Sequence, residues 1–401
     1  MRKVLITGAQ GFAGGYLAAQ LREQGHEVWG TTSRAEAAGE HTRQVDLRNA
    51  TRTAEVVREL APHDIYHLAG ITRPALGLVS EYYDVNLYGT LNVLEAAKTV
   101  SARVLVVSSA YVYGAHDTPI NENTPLRPVN HYGSSKAAAD LAAISYALGG
   151  LHVVRVRPFN HTGPGQSPNF VLPTLVRQLA EIEAGAQEPV FKLGNVESVR
   201  DFCDVRDMVR AYPLLLDRGD VGAVYNLASG QGIAVRTLAE KVMALSDAHI
   251  RLDIEPARQR ATDIPYLVGD ASKTEAAVGW TRQYSLDDTL HDMIGWERAG
   301  GREGTQAERI GEHFGVCHLS TGDVFRSAKQ LEASGYGSPA LIRALEYMRR
   351  GELVPDEIVL EIVRERAACL RCGGGVLLDE IPGRSRRRRR FPGCWRNETF
   401  P

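Results

Sequence analysis

Ser109, Tyr132 and Lys136 are the residues whose types and spacing point most directly to chemistry. The run Val104-Leu105-Val106-Val107 is short, apolar and rich in β-branched residues, as a buried parallel strand is. It delivers Ser108 and Ser109 to a strand end. Tyr132 and Lys136 open an Ala- and Leu-rich helical stretch, residues 132–148, and at four residues apart they share a helix face. A converging Ser, Tyr and Lys can exchange a proton with a hydroxyl or carbonyl oxygen. A phenol titrates near ~10, and a neighbouring ammonium favours the phenolate and lowers that value. A serine hydroxyl can hold the same substrate oxygen. Tyr-x-x-x-Lys alone is common by chance, so its meaning depends on the rest of the chain.

The elements that must position these residues alternate between strand and helix. Lys3–Thr7 reads as a first strand, followed by Gly8-Ala9-Gln10-Gly11-Phe12-Ala13-Gly14 and a helix over 15–24 with Leu17 and Leu21 on one face. Glycines in this pattern permit a tight turn, close approach of backbone to a pyrophosphate, and close packing of helix on strand. The helix N-terminus then aims N–H groups at the phosphates. A second strand, 27–31, runs into Thr32, Ser33 and Arg34. A site for NAD places an acidic residue there; hydroxyls and a guanidinium suit a 2′-phosphate, which favours NADP(H) with NAD(H) as the alternative. Asp46-Leu47 reads as the end of the next strand, with Asp46 placed to accept from an adenine amine. A helix over 49–60 follows, then a strand over 64–70 that ends in Leu68-Ala69-Gly70, small enough for a cofactor backbone to pass. His67 belongs to the core rather than to a metal. The helix over 81–100 carries Asn86, a polar residue needing a partner, with a proton relay through the Tyr–Lys pair as one candidate. This alternation predicts an α/β fold with a parallel sheet covered on both faces.

Length and composition bound the rest. A chain of 401 residues suggests two or three domains, and 44% hydrophobic with 23% charged residues is the balance of a globular protein with a large core. A net charge of -2 gives no reason to expect nucleic acid or an anionic membrane as a partner. The apolar run at the N-terminus is too short for a signal peptide, and no stretch approaches ~20 apolar residues, so a cytoplasmic protein without a membrane span is expected. Cys203, Cys317, Cys369, Cys372 and Cys394 suit a reducing compartment, and Cys369-x-x-Cys372 lacks a second pair, so no metal site is expected.

The second half is marked by arginines in loops. Arg155-Val156-Arg157-Pro158-Phe159-Asn160-His161-Thr162-Gly163-Pro164-Gly165-Gln166 is placed after a sixth strand, and a helix over 170–185 is interrupted at Pro173. The segments Val199 to Asp207 and Arg258 to Asp263 follow. A guanidinium forks onto two oxygens and so suits a diphosphate.

Gly8-x-x-Gly11-x-x-Gly14, Leu68-Ala69-Gly70, Asn86, Ser109, Val112-Tyr113-Gly114 and Tyr132-x-x-x-Lys136 together resemble the extended short-chain dehydrogenase/reductases acting on nucleotide sugars. The resemblance covers about residues 1–298. It implies a Rossmann-type doubly wound sheet with a smaller α/β substrate lobe, mainly 160–275. It implies Tyr132 as acid/base, Lys136 as its pKa modifier and a cofactor ribose ligand, and Ser109 as holder of the substrate oxygen. Gly8, Gly11, Phe12, Gly14, Arg34, Asp46, Leu47, Leu68, Ala69, Gly70, Asn86, Tyr132 and Lys136 would line the cofactor. The wording from Arg157 to Gln166 is similar to that of the GDP-4-dehydro-6-deoxy-D-mannose reductases. Arg260-x-Thr262-Asp263 with Gly269-Asp270 resembles both these and the GDP-mannose 4,6-dehydratases. A GDP-sugar substrate follows, with Asn160 and Phe170 at the substrate, Arg200 and Arg260 on diphosphate, and Asp263 on a ribose hydroxyl. A homodimer through the 81–100 and 132–148 helices is the family-level expectation.

Chemistry separates the two reactions. A dehydratase must take the proton from sugar C5 and expel the C6 hydroxyl, which needs an extra carboxylate beside the substrate; the resemblance to the dehydratases implies Glu, or Asp-Glu, just after the Ser/Thr. Here those positions are Ala110 and Tyr111. Reduction of a C4 ketone needs only a hydride and a proton from Tyr132, so a ketoreductase is expected. The dehydratase and a nucleotide-sugar 4-epimerase are the enzyme alternatives, and a non-catalytic GDP-sugar-binding protein is the alternative of another class.

The tail reads differently. Gly304-Thr305-Gln306-Ala307-Glu308-Arg309-Ile310, His318 to Arg326, Gly351 to Glu357 and Leu377-Leu378-Asp379 resemble the N-terminal part of adenylate kinase, over about 299–383. A P-loop needs a lysine that reaches the phosphates. Gly300-Gly301-Arg302-Glu303-Gly304-Thr305 puts Glu303 there, so no phosphotransfer is expected. Residues 384–401, with their arginine run, read as a solvated, disordered tail.

Overall fold

β1 (Lys3–Thr7), a buried apolar strand, starts an alternating chain. In order follow α1 (Phe12–Glu23), β2 (Glu27–Thr32), β3 (Thr42–Gln44), α2 (Ala50–Leu60) and β4 (Asp64–His67). Next, α3 (Ser80–Tyr83) passes through a π-helical turn, Asp84–Tyr88, into α4 (Gly89–Val100). β5 (Arg103–Val107), a 3₁₀ turn at Ala110–Val112, α5 (His131–Leu148) and β6 (Val153–Pro158) complete the first half. The second half runs β7 (Asn160–Thr162), α6 (Val171–Glu183), β8 (Val190–Leu193), β9 (Val199–Asp204), α7 (Val205–Arg218) and β10 (Val224–Leu227). It continues with β11 (Gly232–Ala234), α8 (Val235–Met243), β12 (Arg251–Ile254), β13 (Tyr266–Leu267), α9 (Ser272–Val278) and α10 (Leu286–Arg298). This computed structural model describes residues 1–33, 39–72, 77–255 and 264–299, the strands 317–320 and 376–379, and positions 343, 347 and 358. It divides into Met1–Ala299 and Gly300–Pro401.

The central sheet has the order β10-β6-β5-β4-β1-β2-β3, with every pairing parallel. From β1 the chain first builds outward through β2 and β3, then returns to β4 on the other side. Ligands in such sheets bind outside the carboxyl ends of the strands at that switch point. One face is covered by α1 and α7, through Leu17, Leu21, Met208, Tyr212 and Leu215. The other is covered by α2, α4 and α5, through Val56, Leu60, Val93, Leu94 and Ala143. A separate core of Leu172, Leu175, Leu179, Leu238, Val242, Leu290 and Ile294 builds a lobe from α6, α8 and α10. In that lobe β9 lies between β11 and β13 and also pairs with β7, and β8 pairs with β12.

Several boundaries differ from the sequence expectation. Arg155 to Pro158 are the end of β6 itself rather than a loop after it. Pro173 falls in the first turn of α6, where its missing N–H costs nothing, so the helix is not interrupted. β3 stops at Gln44, leaving Asp46 and Leu47 beyond the strand. The helix over 81–100 is broken in type by its π-helical turn, and Asn86 sits inside that turn.

In the second unit Cys317–Ser320 pairs parallel with Val376–Asp379. Arg34, Arg260 and Asp263, as well as Glu303, Cys369, Cys372 and the arginine run, lie outside the described residues.

Candidate active site

Ser109 stands just past the end of β5 and caps the 3₁₀ turn, its Oγ accepting the Tyr111 N–H at 3.2 Å. α5 begins beside it. Asn130 caps that helix by accepting the Gly133 N–H at 2.8 Å. A Cβ on Gly133 would lie 2.6 Å from the Tyr111 carbonyl oxygen, so glycine is what lets α5 seat on the turn. Tyr132, in the first turn of α5, is half-buried, and the Ser109 hydroxyl acts on its phenol. The serine and tyrosine singled out by spacing are therefore neighbours.

The electrostatics differ from expectation. Burial pushes the Tyr132 phenol up, with the Ser109 hydrogen bond pulling the other way and Tyr111 and Tyr82 adding to the rise. Lys136 is not among the groups that act on it. Its buried ammonium donates to the Val107 carbonyl at 2.5 Å, at the end of β5. Burial pushes Lys136 down to about 8, against the field of Asp140. The expected lowering of the phenol by a neighbouring ammonium is thus not what the structure shows.

Asn86 likewise finds partners other than the Tyr–Lys pair. Its Nδ2 donates to the Ile71 carbonyl and to Ser135 Oγ, both at 3.0 Å, and its Oδ1 accepts the Ile71 N–H at 2.8 Å. It ties the loop after β4 to α5 from within a π-helical turn, a feature frequent at functional sites. A Cβ on Gly70 would meet Asn86 Oδ1 at 2.9 Å, while Lys136 Nζ would stand at an ordinary contact distance of 3.6 Å, so it is Asn86 that favours glycine there. His67 is a core residue, between Thr7 Oγ1 at 2.7 Å and Thr90 Oγ1 at 2.9 Å. Thr90 donates to the Asn86 carbonyl at 2.6 Å, so His67 Nε2 carries the proton and Nδ1 accepts from Thr7.

The glycine loop leaves a cradle. Gly8 has φ +75°, and a Cβ there would lie 3.0 Å from the Ala69 nitrogen. A Cβ on Gly14 would lie 2.1 Å from the Gly8 carbonyl oxygen, so no other residue fits. Gly11 caps α1 without a side chain, leaving the helix N-terminus bare for an anion. These residues fit the pyrophosphate of a dinucleotide. Leu68 and Ala69 are half-buried, Gly70 is exposed and Leu47 is buried. Asp46 is held by the Arg48 guanidinium, with Nη2 to Oδ2 at 2.6 Å, which keeps its carboxyl below the usual range. Phe12, opening α1, lies parallel to the His161 ring at 6.2 Å, and Tyr16 donates to the Pro164 carbonyl at 2.8 Å. The cofactor-side helix is thereby joined to the start of the second lobe.

On the substrate side, Asn160 in β7 pairs with Phe202 of β9, two residues from Arg200, so the three share a sheet face. Arg200 is buried and donates to its neighbour's carbonyl, Val199 O, at 2.9 Å. Phe170 precedes α6 and is exposed. The sequence reading passed over Asp140, Tyr82 and Asp201. Asp140 is fully buried and bridges Arg155 and Arg157, the latter at 2.8 Å. Arg157 also donates to the Tyr113 hydroxyl at 2.9 Å, which donates to Asn226 Oδ1 at 2.7 Å. The signal was present: an acid one helical turn after Lys136, and two arginines on one face of a strand. Asp201 accepts the backbone N–H groups of Ser229, Gly230 and Gly269 at 2.7, 2.9 and 3.1 Å, fastening loops around β9.

Known proteins place this geometry. The family model described as GDP-mannose 4,6 dehydratase matches residues 5–293, and the adenylate kinase family model matches residues 294–393. A GDP-6-deoxy-D-mannose reductase of Pseudomonas aeruginosa is 32% identical over 305 residues, covering 74% of this chain and 97% of that protein. A GDP-mannose 4,6-dehydratase of Sinorhizobium fredii is 28% identical, covering 73% of this chain and 96% of its own. Among solved structures, RMD from Pseudomonas aeruginosa complexed with NADPH superposes with a TM-score of 0.65 at 29% identity, over 75% of this chain and all of that one.

Proposed function

Because this chain belongs to the GDP-mannose 4,6-dehydratase family of nucleotide-sugar short-chain dehydrogenase/reductases, we propose that it reduces the C4 ketone of a GDP-4-keto-6-deoxyhexose with NADPH. The product is a GDP-6-deoxyhexose of the GDP-rhamnose type. The observation that carries this reading is the surroundings of Tyr132. Its ring packs against Tyr111 and Tyr82, with centroids at 5.8 and 6.4 Å, and the two positions after Ser109 are Ala110 and Tyr111 rather than a carboxylate. A dehydratase needs an acid/base group for C5 and C6 beside this pair. A ketoreductase does not.

The glycine cradle of Gly8, Gly11 and Gly14 would hold the cofactor diphosphate, with Leu68, Ala69 and Gly70 along its path. A nicotinamide bound there would supply the hydride for reduction of the carbonyl carbon. Tyr132, whose phenol is pushed up by burial, holds its proton at neutral pH and donates it to the C4 oxygen. Ser109 Oγ steadies that oxygen as charge develops, a contribution of about 10²–10³ in rate for a single donor of this kind. Lys136, fixed on Val107, supports the strand end from which Ser109 projects. Arg200 and Asn160 receive the nucleotide diphosphate and sugar, with Phe170 at the lobe entrance and Arg260 and Asp263 as further contacts.

The test is isotope transfer. NADPH deuterated at the nicotinamide C4 is incubated with GDP-4-keto-6-deoxymannose, and the product is read by NMR. Deuterium at sugar C4 is the expected result. Conversion of GDP-mannose to the 4-keto-6-deoxy sugar instead would assign a dehydratase. Exchange of C4 configuration in a nucleotide hexose without net cofactor consumption would assign an epimerase. Binding of GDP-sugar without turnover by folded protein would leave a non-catalytic binder.

A further inference from the structure

Tyr111 has no part in the proton transfer just described, yet it is held against the group that performs it. Its backbone N–H is bound by Ser109 Oγ at 3.2 Å. Its carbonyl is pressed against Gly133, the residue after Tyr132. Its main chain is therefore fixed by the elements that carry the two groups meeting the substrate oxygen. Its ring lies edge-on to that of Tyr132, with centroids 5.8 Å apart and planes at 67°. On the Tyr132 ring a second tyrosine, Tyr82, makes a tilted contact at 6.4 Å. Tyr82 spends its hydroxyl on the Thr72 carbonyl at 3.2 Å, so what it offers is its ring.

In a hexose whose C4 oxygen meets Tyr132, the flanking atoms are C3, with its hydroxyl, and C5, which carries C6. Tyr111 stands in the short segment after Ser109 where a dehydratase of this group would act on C5 and C6. The face of an aromatic ring there offers a C6 hydroxyl no hydrogen bond and packs well on a methyl group. We propose that Tyr111, supported by Tyr82, is a specificity-determining residue that admits a sugar with a methyl group on C5 and disfavours one with a hydroxymethyl group. This rests on the ketoreductase reading above. An apolar wall rejects an added hydroxyl only modestly, by roughly 10² at most.

The experiment uses the full chain in the oxidative direction. Each nucleotide sugar is oxidised at C4 by NADP⁺ at alkaline pH, where Tyr132 as phenolate takes the hydroxyl proton while the C4 hydrogen leaves as hydride. The ratio of kcat/KM for GDP-rhamnose to that for GDP-mannose is measured. The ratio is expected to lie at about tenfold to a hundredfold. Tyr111→Phe, which keeps the ring, retains it. Tyr111→Gln and Tyr111→Ser, which offer hydrogen bonds to a hydroxyl, lower it by at least about fivefold. A wild-type ratio near one, or an unchanged ratio in both polar variants, overturns the assignment of Tyr111 and leaves the reductase standing. Oxidation of neither sugar by folded wild-type protein overturns the reductase reading and the assignment with it.

Discussion

Lys136 and Asn86 illustrate how a polar side chain near a reactive group can serve the scaffold. Lys136 holds the end of β5 and Asn86 holds the loop after β4. The types and spacing of Ser109, Tyr132 and Lys136 were legible in the sequence, since a shared helix face follows from periodicity alone. Their partners were not, because a hydrogen bond to Val107 or Ile71 depends on how two elements are set against each other. His67 carries the pH dependence of this region. Its neutral imidazole links Thr7 to Thr90, and burial holds it down to about 3, against an ordinary value of 6.5. The folded-state value is the lower one, so the unfolded chain takes up this proton first as pH falls. The stability His67 contributes is complete above pH 6.5 and is lost progressively between 6.5 and about 3. The melting temperature of the wild type should therefore fall more steeply from pH 7 to pH 5 than that of His67→Gln. Parallel curves for the two proteins would contradict this.

At the scale of elements, α5 delivers Tyr132 and is anchored to the sheet one turn after Lys136 by Asp140, through Arg155 and Arg157 of β6. Two guanidinium groups around one buried carboxylate are stable only as a set. Removing the acid strands both, at a cost of about 3–5 kcal/mol for a broken buried pair. Asp140→Ala should lower the urea midpoint of unfolding accordingly, and a shift worth less than about 1 kcal/mol would show the anchor to be dispensable. Placement of this motif was misread from sequence because Arg155 and Arg157 look like loop cations beside Pro158, whereas they alternate along a buried strand. Pro173 misled for a related reason: a helix starting at Val171 puts the proline where no N–H is needed, and the start was set one residue too early. The turn of the glycine loop was legible because its requirements are local, a positive φ at Gly8 and no room for a Cβ at Gly14 beside the Gly8 carbonyl, whereas the approach of Ala69 to Gly8 depends on how β4 is set beside β1.

At the scale of the whole molecule, the parallel sheet was expected from alternating strands and helices, and the strand order observed, with its switch point between β1 and β4, brings the end of β5 and the start of α5 beside the glycine cradle. Both curated relatives are covered over 96–97% of their length by about three quarters of this chain. A protein ending at Ala299 should thus fold and keep the reductase kcat/KM of the full chain within about twofold, a difference worth well under 1 kcal/mol. Loss of activity on truncation would show that the adenylate kinase-like segment is required. The intact chain should form no ADP from AMP and ATP, because Glu303 occupies the position of the P-loop lysine. The most direct test of the central claim is NADPH absorbance on mixing the full chain with freshly prepared GDP-4-keto-6-deoxymannose, with Tyr132→Phe alongside. The expected result is NADPH oxidation in the wild type and a loss of at least about 10²-fold in the variant, the range for a removed general acid. No oxidation by folded wild-type protein, or oxidation that Tyr132→Phe leaves intact, would contradict a ketoreductase that uses Tyr132 as its proton donor.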